Sequence, residues 1–170
     1  VLAADVGTGS GCIAVSLALA RPESRILAVD VSGEAIALAA ENAGRHGVLD
    51  RIDFREGELC DVAEPESLAV IVANLPYVTT GEYAALPRHV RDWEPRQALD
   101  GGEDGLDHIR LVIADAPMAL RPGGMLFLEI GMGQGAVVVE MLTTLGFVDV
   151  RVRPDLAGRD RTVEARAPMG

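Results

Sequence analysis

Apolar and polar positions along the chain fall into two alternating patterns. Short apolar runs at Val1–Val6, Ile26–Asp30, Ile52–Phe54, Leu68–Ala73 and Met125–Ile130 have the look of buried strands. Between them, apolar residues recur at helical spacing. Ile36, Ala39, Ala40 and Ala43 share one face, as do Val138, Met141, Leu142 and Leu145. Leu106, Ile109, Ile113 and Ala116 form a third stripe, which the Arg121-Pro122-Gly123-Gly124 turn is expected to end. Ser32 is placed to cap the first of these helices and Gly146 to terminate the second. Such alternation predicts a parallel sheet with helices on both faces. Val148–Val152 and Thr162–Ala165 break the rhythm, because their connection is too short for a crossover helix, and they are expected to pair antiparallel. Val78–Asp104 has no clear period and holds much of the Arg and acid, which makes it a candidate substrate loop.

Composition narrows the picture. At 170 residues, 49% apolar and 24% charged, the chain has the make-up of one folded domain. Aromatics are only 4%, so the core must rest on Val, Leu, Ile and Ala. The formal charge is −11 and all 15 cations are Arg, which argues against broad binding to a phosphate backbone. Cys12 and Cys60 are far apart, without C-x-x-C spacing or a secretory segment, so they are expected to be reduced, mostly buried thiols of a cytoplasmic protein. No apolar run reaches the roughly 18 residues of a membrane span. A strand at the very first residue, with no Met ahead of it, gives the expectation of a fragment of a longer protein. His46, His89 and His108 are isolated and lack metal-ligand spacing, so no metal site is expected.

The candidate chemistry begins where the first strand enters the first helix, at Asp5-Val6-Gly7-Thr8-Gly9-Ser10-Gly11. Glycines let the backbone turn tightly and approach a ligand that a Cβ would block. A dinucleotide fingerprint needs glycine where Cys12 stands, and no lysine follows to make a phosphate-binding P-loop. The missing phosphate grip suits a cofactor bearing a carboxylate, an ammonium and a sulfonium, lying over Gly7, Thr8, Gly9 and Gly11 with Asp5 near the ammonium. The alternative is that the glycines only permit close strand–helix packing. Asp30 ends the second strand, where a carboxylate can accept both hydroxyls of a ribose, and Val31 beside it joins the same candidate site. Helix capping is the competing role for Asp30, although Ser32 already suits that task.

Asn74-Leu75-Pro76-Tyr77 ends the fourth strand, at the sheet edge where ligands of such folds bind. The Asn74 side-chain oxygen and the Leu75 carbonyl can each accept one hydrogen of an NH₂ group. That orients the nitrogen and supports positive charge growing on it. Pro76 restrains Leu75 to an extended conformation, and Tyr77 offers a flat face to a planar amide or base. A plain Asn-Pro turn closing a strand is the alternative.

These segments together resemble one family. The chain is similar to the HemK/PrmC protein-(glutamine-N5) methyltransferases in the glycine turn, in Ala28-Val29-Asp30, in Asn74–Tyr77 and in Trp93-Glu94-Pro95 with Ala98-Leu99. The likeness continues through Gly101-Gly102-Glu103-Asp104-Gly105-Leu106, Leu128-Glu129-Ile130-Gly131 and Asp155–Arg161. The resemblance implies the class I S-adenosylmethionine-dependent methyltransferase fold. That is a Rossmann-like α/β arrangement with a mostly parallel seven-stranded sheet, a C-terminal antiparallel hairpin and helices on both faces. It implies transfer to the glutamine of the Gly-Gly-Gln motif of peptide chain release factors, with S-adenosylhomocysteine as co-product. The nucleophile-holding roles then fall on Asn74 and Leu75, and the cofactor roles on the glycine turn and Asp30. Glu58 stands where methyltransferases often place an acid beside the adenine amine, a solvated loop charge being its alternative.

Two departures from the family pattern stand out. Leu75 occupies the place of the first proline of Asn-Pro-Pro-Tyr, which is expected to loosen the turn slightly and to bear on substrate fit. The family also carries a helical domain ahead of the catalytic one, which helps dock the release factor. On this reading residues 1–170 are the catalytic domain alone. Two other readings remain open at this point. One is an adenine-N6 methyltransferase of rRNA or DNA, which shares Asn-Leu-Pro-Tyr and could use Arg88, Arg91 and Arg96. The other is a cofactor-binding module without activity of its own.

Overall fold

The apolar runs become strands β1 (Leu2–Val6), β2 (Arg25–Asp30), β3 (Ile52–Glu56), β4 (Leu68–Ala73) and β5 (Leu120–Glu129), followed by β6 (Val148–Pro154) and β7 (Asp160–Arg166). The structure, a computed structural model, describes residues 2–93 and 95–169; Val1 of the first expected strand and Glu94 of Trp93-Glu94-Pro95 lie outside the described residues. The strands form one seven-stranded sheet in the order β3-β2-β1-β4-β5-β7-β6. β1 to β5 run parallel, and β7 is antiparallel to both β5 and β6. From β1 the chain winds outward to β3, then returns to start β4 on β1's other side. The crevice between β1 and β4 is therefore the topological switch point, where folds of this kind bind ligands.

Helices α1 (Cys12–Ala20) and α2 (Gly33–Arg45) follow β1 and β2; the short α3 (Leu59–Val62) follows β3. The region after β4 holds α4 (Thr80–Tyr83), α5 (Arg88–Arg91) and the long α6 (Asp107–Ala119); α7 (Gly135–Thr144) joins β5 to β6. Strand alternation sorts the core into two clusters. Ala3, Ile26 and Ala28 pack with Ala14, Val15 and Ala18 of α1 and Ala43 of α2. Ala4, Leu27, Val29 and Ile71 face the other way and pack with Leu59, with Ile109 and Ile113 of α6, and with Val138 and Leu142 of α7. Ser32 caps α2 by accepting from the Ala35 N–H at 3.3 Å. Gly146, at φ 84°, turns the chain out of α7. No described helix is long and apolar enough to cross a membrane.

Three expectations need correction. Arg121–Gly124 does not separate the third helix from a strand starting at Met125. Leu120 already pairs with Leu68, and Met125 with Val70, so the turn is a bulge within β5. A bulge tolerates Pro122, which a regular ladder would not. Val78–Asp104 is not structureless: besides α4 and α5 it holds a 3-10 turn at Arg96–Ala98 and a parallel bridge between Val78 and Asp100. Helices of one turn are too short to show a hydrophobic period. Cys12 and Cys60 are exposed, free thiols. Cys12 is the first residue of α1 and Cys60 the second of α3, and the inward faces of these helices are taken by neighbours, Ala14 and Val15 in α1 and Leu59 in α3.

Gly11 sits at φ +80°, and a Cβ there would lie 3.0 Å from the Ala39 Cβ and 3.1 Å from its Cα. Gly11→Ala should therefore cost about 1–3 kcal/mol through backbone strain and overpacking, read as a lower urea midpoint. Adding Ala39→Gly should recover only the packing part.

Candidate active site

Parallel pairing sets Val6 of β1 beside Ala73 of β4 and beside Val29 of β2. The residues that follow these three strands therefore emerge side by side. The glycine turn is held to β2 by two backbone bonds, from the Gly7 and Thr8 N–H groups to the Val29 carbonyl, both 2.9 Å. Two carboxylates complete its fixation. Asp5 is 1% exposed, and its Oδ2 accepts from the Thr8 hydroxyl at 2.8 Å and from the Ala14 N–H at 2.9 Å. Asp30 accepts from the Gly9 N–H at 2.9 Å on Oδ2 and from the Ser32 N–H at 3.0 Å on Oδ1.

The two acids differ in what remains. Asp5 Oδ1 is buried without a hydrogen-bond partner. Burial raises the Asp5 carboxyl above its ordinary value, partly offset by the bonds from Thr8 and Ala14, with a smaller upward contribution from Asp30. The carboxyl lies beneath the turn, bonded to Thr8 and to the start of α1, and is closed off from direct contact with anything above. Asp30 is half-buried and has spare lone pairs on both oxygens. Next to it, Val31 is 67% exposed, an apolar side chain that nothing in the fold requires at the surface.

The glycines divide between packing and access. Gly11 is explained by its contact with Ala39, and a Cβ on Gly7 would come within 2.8 Å of Leu75 Cδ2. At Gly9 the nearest atom to such a Cβ is 3.9 Å away, so its bareness faces open space. Thr8, expected at the ligand, is buried with its hydroxyl turned inward to Asp5. It braces the turn. Glu58 is exposed and makes no side-chain cap to α3. The loop carrying it is drawn to the end of β2 by a bond from the Gly57 N–H to the Asp30 carbonyl at 2.9 Å.

Asn74 leaves β4 with its side chain exposed, and among the described residues neither that side chain nor the Leu75 carbonyl has a hydrogen-bond partner. Two acceptors at the switch point are thus left open. The Leu75 side chain is 8% exposed and belongs to the core. Its expected bearing on substrate fit is corrected accordingly: it points inward, under Gly7.

Tyr77 departs from expectation more clearly. Its hydroxyl lies 3.3 Å from Glu129 Oε1 and accepts from Arg161 at 3.3 Å, and the Arg161 guanidinium stands 5.8 Å from the ring centroid. Burial and Glu129 raise the phenol, with Arg161 opposing, so it stays protonated and can donate to the carboxylate. One face of the ring is taken by the protein's own Arg161 and is not offered as an open platform.

Sequence reasoning missed what holds this loop from outside. The Gln134 amide bonds to Gly131, Tyr77 and Gly105, and Arg161 also donates to the Ile130 carbonyl at 3.1 Å. The signal lay in the glycines: a Cβ on Gly101 would strike the Pro76 carbonyl, and one on Gly105 the Tyr77 carbonyl. Arg88 and Arg91 lie near Asp92, at 3.7 and 3.9 Å, and Arg96 pairs with Asp100 at 2.7 Å, so all three are engaged with acids. A cleft of about 660 Å³ is lined by residues of the 80–108 region such as Arg96, Asp100 and His108, and by none of the predicted site residues.

Comparison with known proteins bears on the family and the fold. The family described as Methyltransferase small domain matches residues 2–91. The release factor glutamine methyltransferase of Cereibacter sphaeroides is 48% identical over 164 residues, covering 96% of this chain and 59% of that protein. Its namesake from Geobacter sulfurreducens is 46% identical over 162 residues, covering 95% and 56% respectively. The chain thus spans a little over half the length of these relatives, which are those the motif resemblance pointed to. A methyltransferase of known structure from Pyrococcus furiosus shares the fold, with a TM-score of 0.74 at 19% identity over 98% of this chain and 75% of that one.

The buried Asp5 has a measurable consequence. Its folded-state value is raised, so between the unfolded and folded values the native state holds more protons than the unfolded chain. Stability contributed by this group therefore falls as pH rises through that interval. Relative to the parent, Asp5→Asn should gain stability as pH rises from about 4 towards 7, measured as the difference in urea midpoints. A constant difference across that range would contradict the burial argument.

Proposed function

We propose, for a chain that belongs to the methyltransferase small domain family, that it methylates a side-chain amide nitrogen using S-adenosylmethionine. The acceptor on this reading is the glutamine of the Gly-Gly-Gln motif of a peptide chain release factor. The observation that carries the reading is the pair of open acceptors, Asn74 and the Leu75 carbonyl, beside a glycine turn underlain by a buried carboxylate. Relatives named release factor glutamine methyltransferase support the substrate class. Residues 1–170 are on this reading the catalytic domain.

The residues present fit the cofactor. The bare face of Gly9 leaves room for an amino-acid moiety, and the unpartnered Asp5 oxygen favours an ammonium above it. Asp30 offers acceptors to ribose hydroxyls, Val31 an apolar surface to a base, and Glu58 an acceptor to an exocyclic amine. When bound, S-adenosylmethionine supplies a methyl group on a positively charged sulfur. Asn74 and Leu75 hold the two hydrogens of the incoming amide, so that its nitrogen is fixed in orientation. Their oxygens stabilise the positive charge as the nitrogen–carbon bond forms and the sulfur–carbon bond breaks. The surplus proton leaves the nitrogen to water, and Tyr77 serves by anchoring the loop. Transfer to adenine in a nucleic acid is disfavoured by the net charge of −11 and the absence of lysine.

Mass spectrometry of a release factor incubated with this chain and S-adenosylmethionine tests the proposal. One added methyl on the Gly-Gly-Gln peptide is the expected result. Methyl found on RNA adenine instead, or cofactor binding without any transfer, would overturn it. Asn74→Ala should lower turnover by about 10²–10³-fold with cofactor affinity retained. Asp30→Ala should chiefly weaken cofactor binding, by about tenfold or more, which is about 1.4 kcal/mol, as read by calorimetry.

A further inference from the structure

Three turns from distant parts of the chain meet at one amide side chain. Gln134 immediately precedes α7, yet its side chain does not cap that helix. Its Oε1 accepts from the Gly131 N–H at 2.7 Å. Its Nε2 donates to the Tyr77 carbonyl and the Gly105 carbonyl, each at 3.1 Å, with a longer approach of 3.4 Å to the Asp104 carbonyl. Both hydrogens and the oxygen of the amide are therefore used. The Gly105 side of the clamp is itself fastened to the same loop, since the Gly101 N–H donates to the Val78 carbonyl at 2.8 Å. Gly105 and Gly131 leave room for it: a Cβ on Gly105 would sit 2.7 Å from Gln134 Nε2, and one on Gly131 3.0 Å from Oε1.

We propose that Gln134 is a positioning residue, whose amide clamp on the Tyr77 peptide fixes the direction of the Asn74 side chain and the Leu75 carbonyl. The physical need for it is local. Within Asn74–Tyr77 only Pro76 has its φ fixed by a ring; Leu75 is confined to the extended region by that proline but not locked within it, so tertiary bonds add to the loop's rigidity. Of the side-chain bonds to Tyr77, those to its hydroxyl are 3.3 Å long, and the one from Gln134 to its carbonyl is 3.1 Å. An error of about 1 Å in a group that orients a nucleophile costs about 10²-fold in rate. The positioning role rests on the amide-methylation reading; the clamp itself does not.

The test pairs two substitutions with two readouts. Gln134→Glu keeps the acceptor for Gly131 but aims a carboxylate at two carbonyls, whereas Gln134→Met keeps the approximate volume and loses every bond. With a Gly-Gly-Gln peptide, kcat should fall about 10–100-fold in both, more in Gln134→Glu, while the Kd for S-adenosylhomocysteine stays that of the parent. Hydrogen exchange should quicken across 77–80 and 101–105 in both variants, and at the Gly131 amide in Gln134→Met, with β1 and β4 unchanged. Unaltered kcat in both variants would overturn the positioning role, as would cofactor affinity lost in proportion to kcat. If the parent chain transfers no methyl to the peptide, the functional reading fails, and exchange alone then decides the clamp: no change across 77–80 and 101–105 would refute it. Should Gln134→Met not fold, Gln134→Glu carries both readouts.

Discussion

Parallel pairing of β1 with β4, in a register that sets Val6 level with Ala73, is the constraint on which the site depends. A parallel sheet sends both strands out at the same edge. A reversal of winding direction at this pair leaves the space beyond their ends uncovered by a crossover helix. The glycine turn and the Asn74 loop are thereby neighbours, though nearly seventy residues of sequence, by the numbering of Gly7 and Asn74, lie between them. Neither segment could define a transfer site alone. The pairing supplies their relative placement before any ligand arrives.

Holding a glycine-rich turn still has a cost, and the chain meets it with carboxylates. Glycine offers no side chain to pack, so the turn's order comes from its N–H groups, and a carboxylate is the strongest acceptor for them. Asp30 takes the Gly9 and Ser32 amides, and Asp5 takes the Thr8 hydroxyl and the Ala14 amide at the start of α1. Asp5 does so at the expense of a buried, half-satisfied charge. A charge left incompletely paired in the interior is destabilising when the protein is alone and becomes favourable when a cation lies above it. On the proposed reading, a cation bound above the turn would offset that cost.

Much of the sheet was legible because buried strands are written as apolar runs: β4 matches its expected bounds at both ends, and the antiparallel hairpin follows from a connection too short to cross over. The Arg121–Gly124 bulge was misread because Pro and Gly signal a break in either a turn or a strand. The short helices of 80–98 were invisible for want of a full period. At the site, Asp30 and Asn74 lie where their motifs put them, since strand ends are fixed by the strands themselves. Thr8 and Tyr77 were assigned outward roles that the structure gives to bracing, because a hydroxyl's direction depends on partners such as Asp5, Glu129 and Arg161 that are remote in sequence or hidden by the fold. Gln134 escaped notice for the same reason: nothing in Gly131-Met132-Gly133-Gln134 reveals which carbonyls will stand around it.

The contact between Leu75 and Gly7 reaches further than packing. A branched side chain from the Asn74 loop fills the space where the glycine turn lacks a Cβ, so the two segments pack directly on each other. Enlarging position 75 would push on the turn, and giving position 7 any side chain would push back on the loop. Drift at either position is therefore answerable to the other. On the proposed reading, a change of size at residue 75 would be felt first at the cofactor turn and not at the substrate.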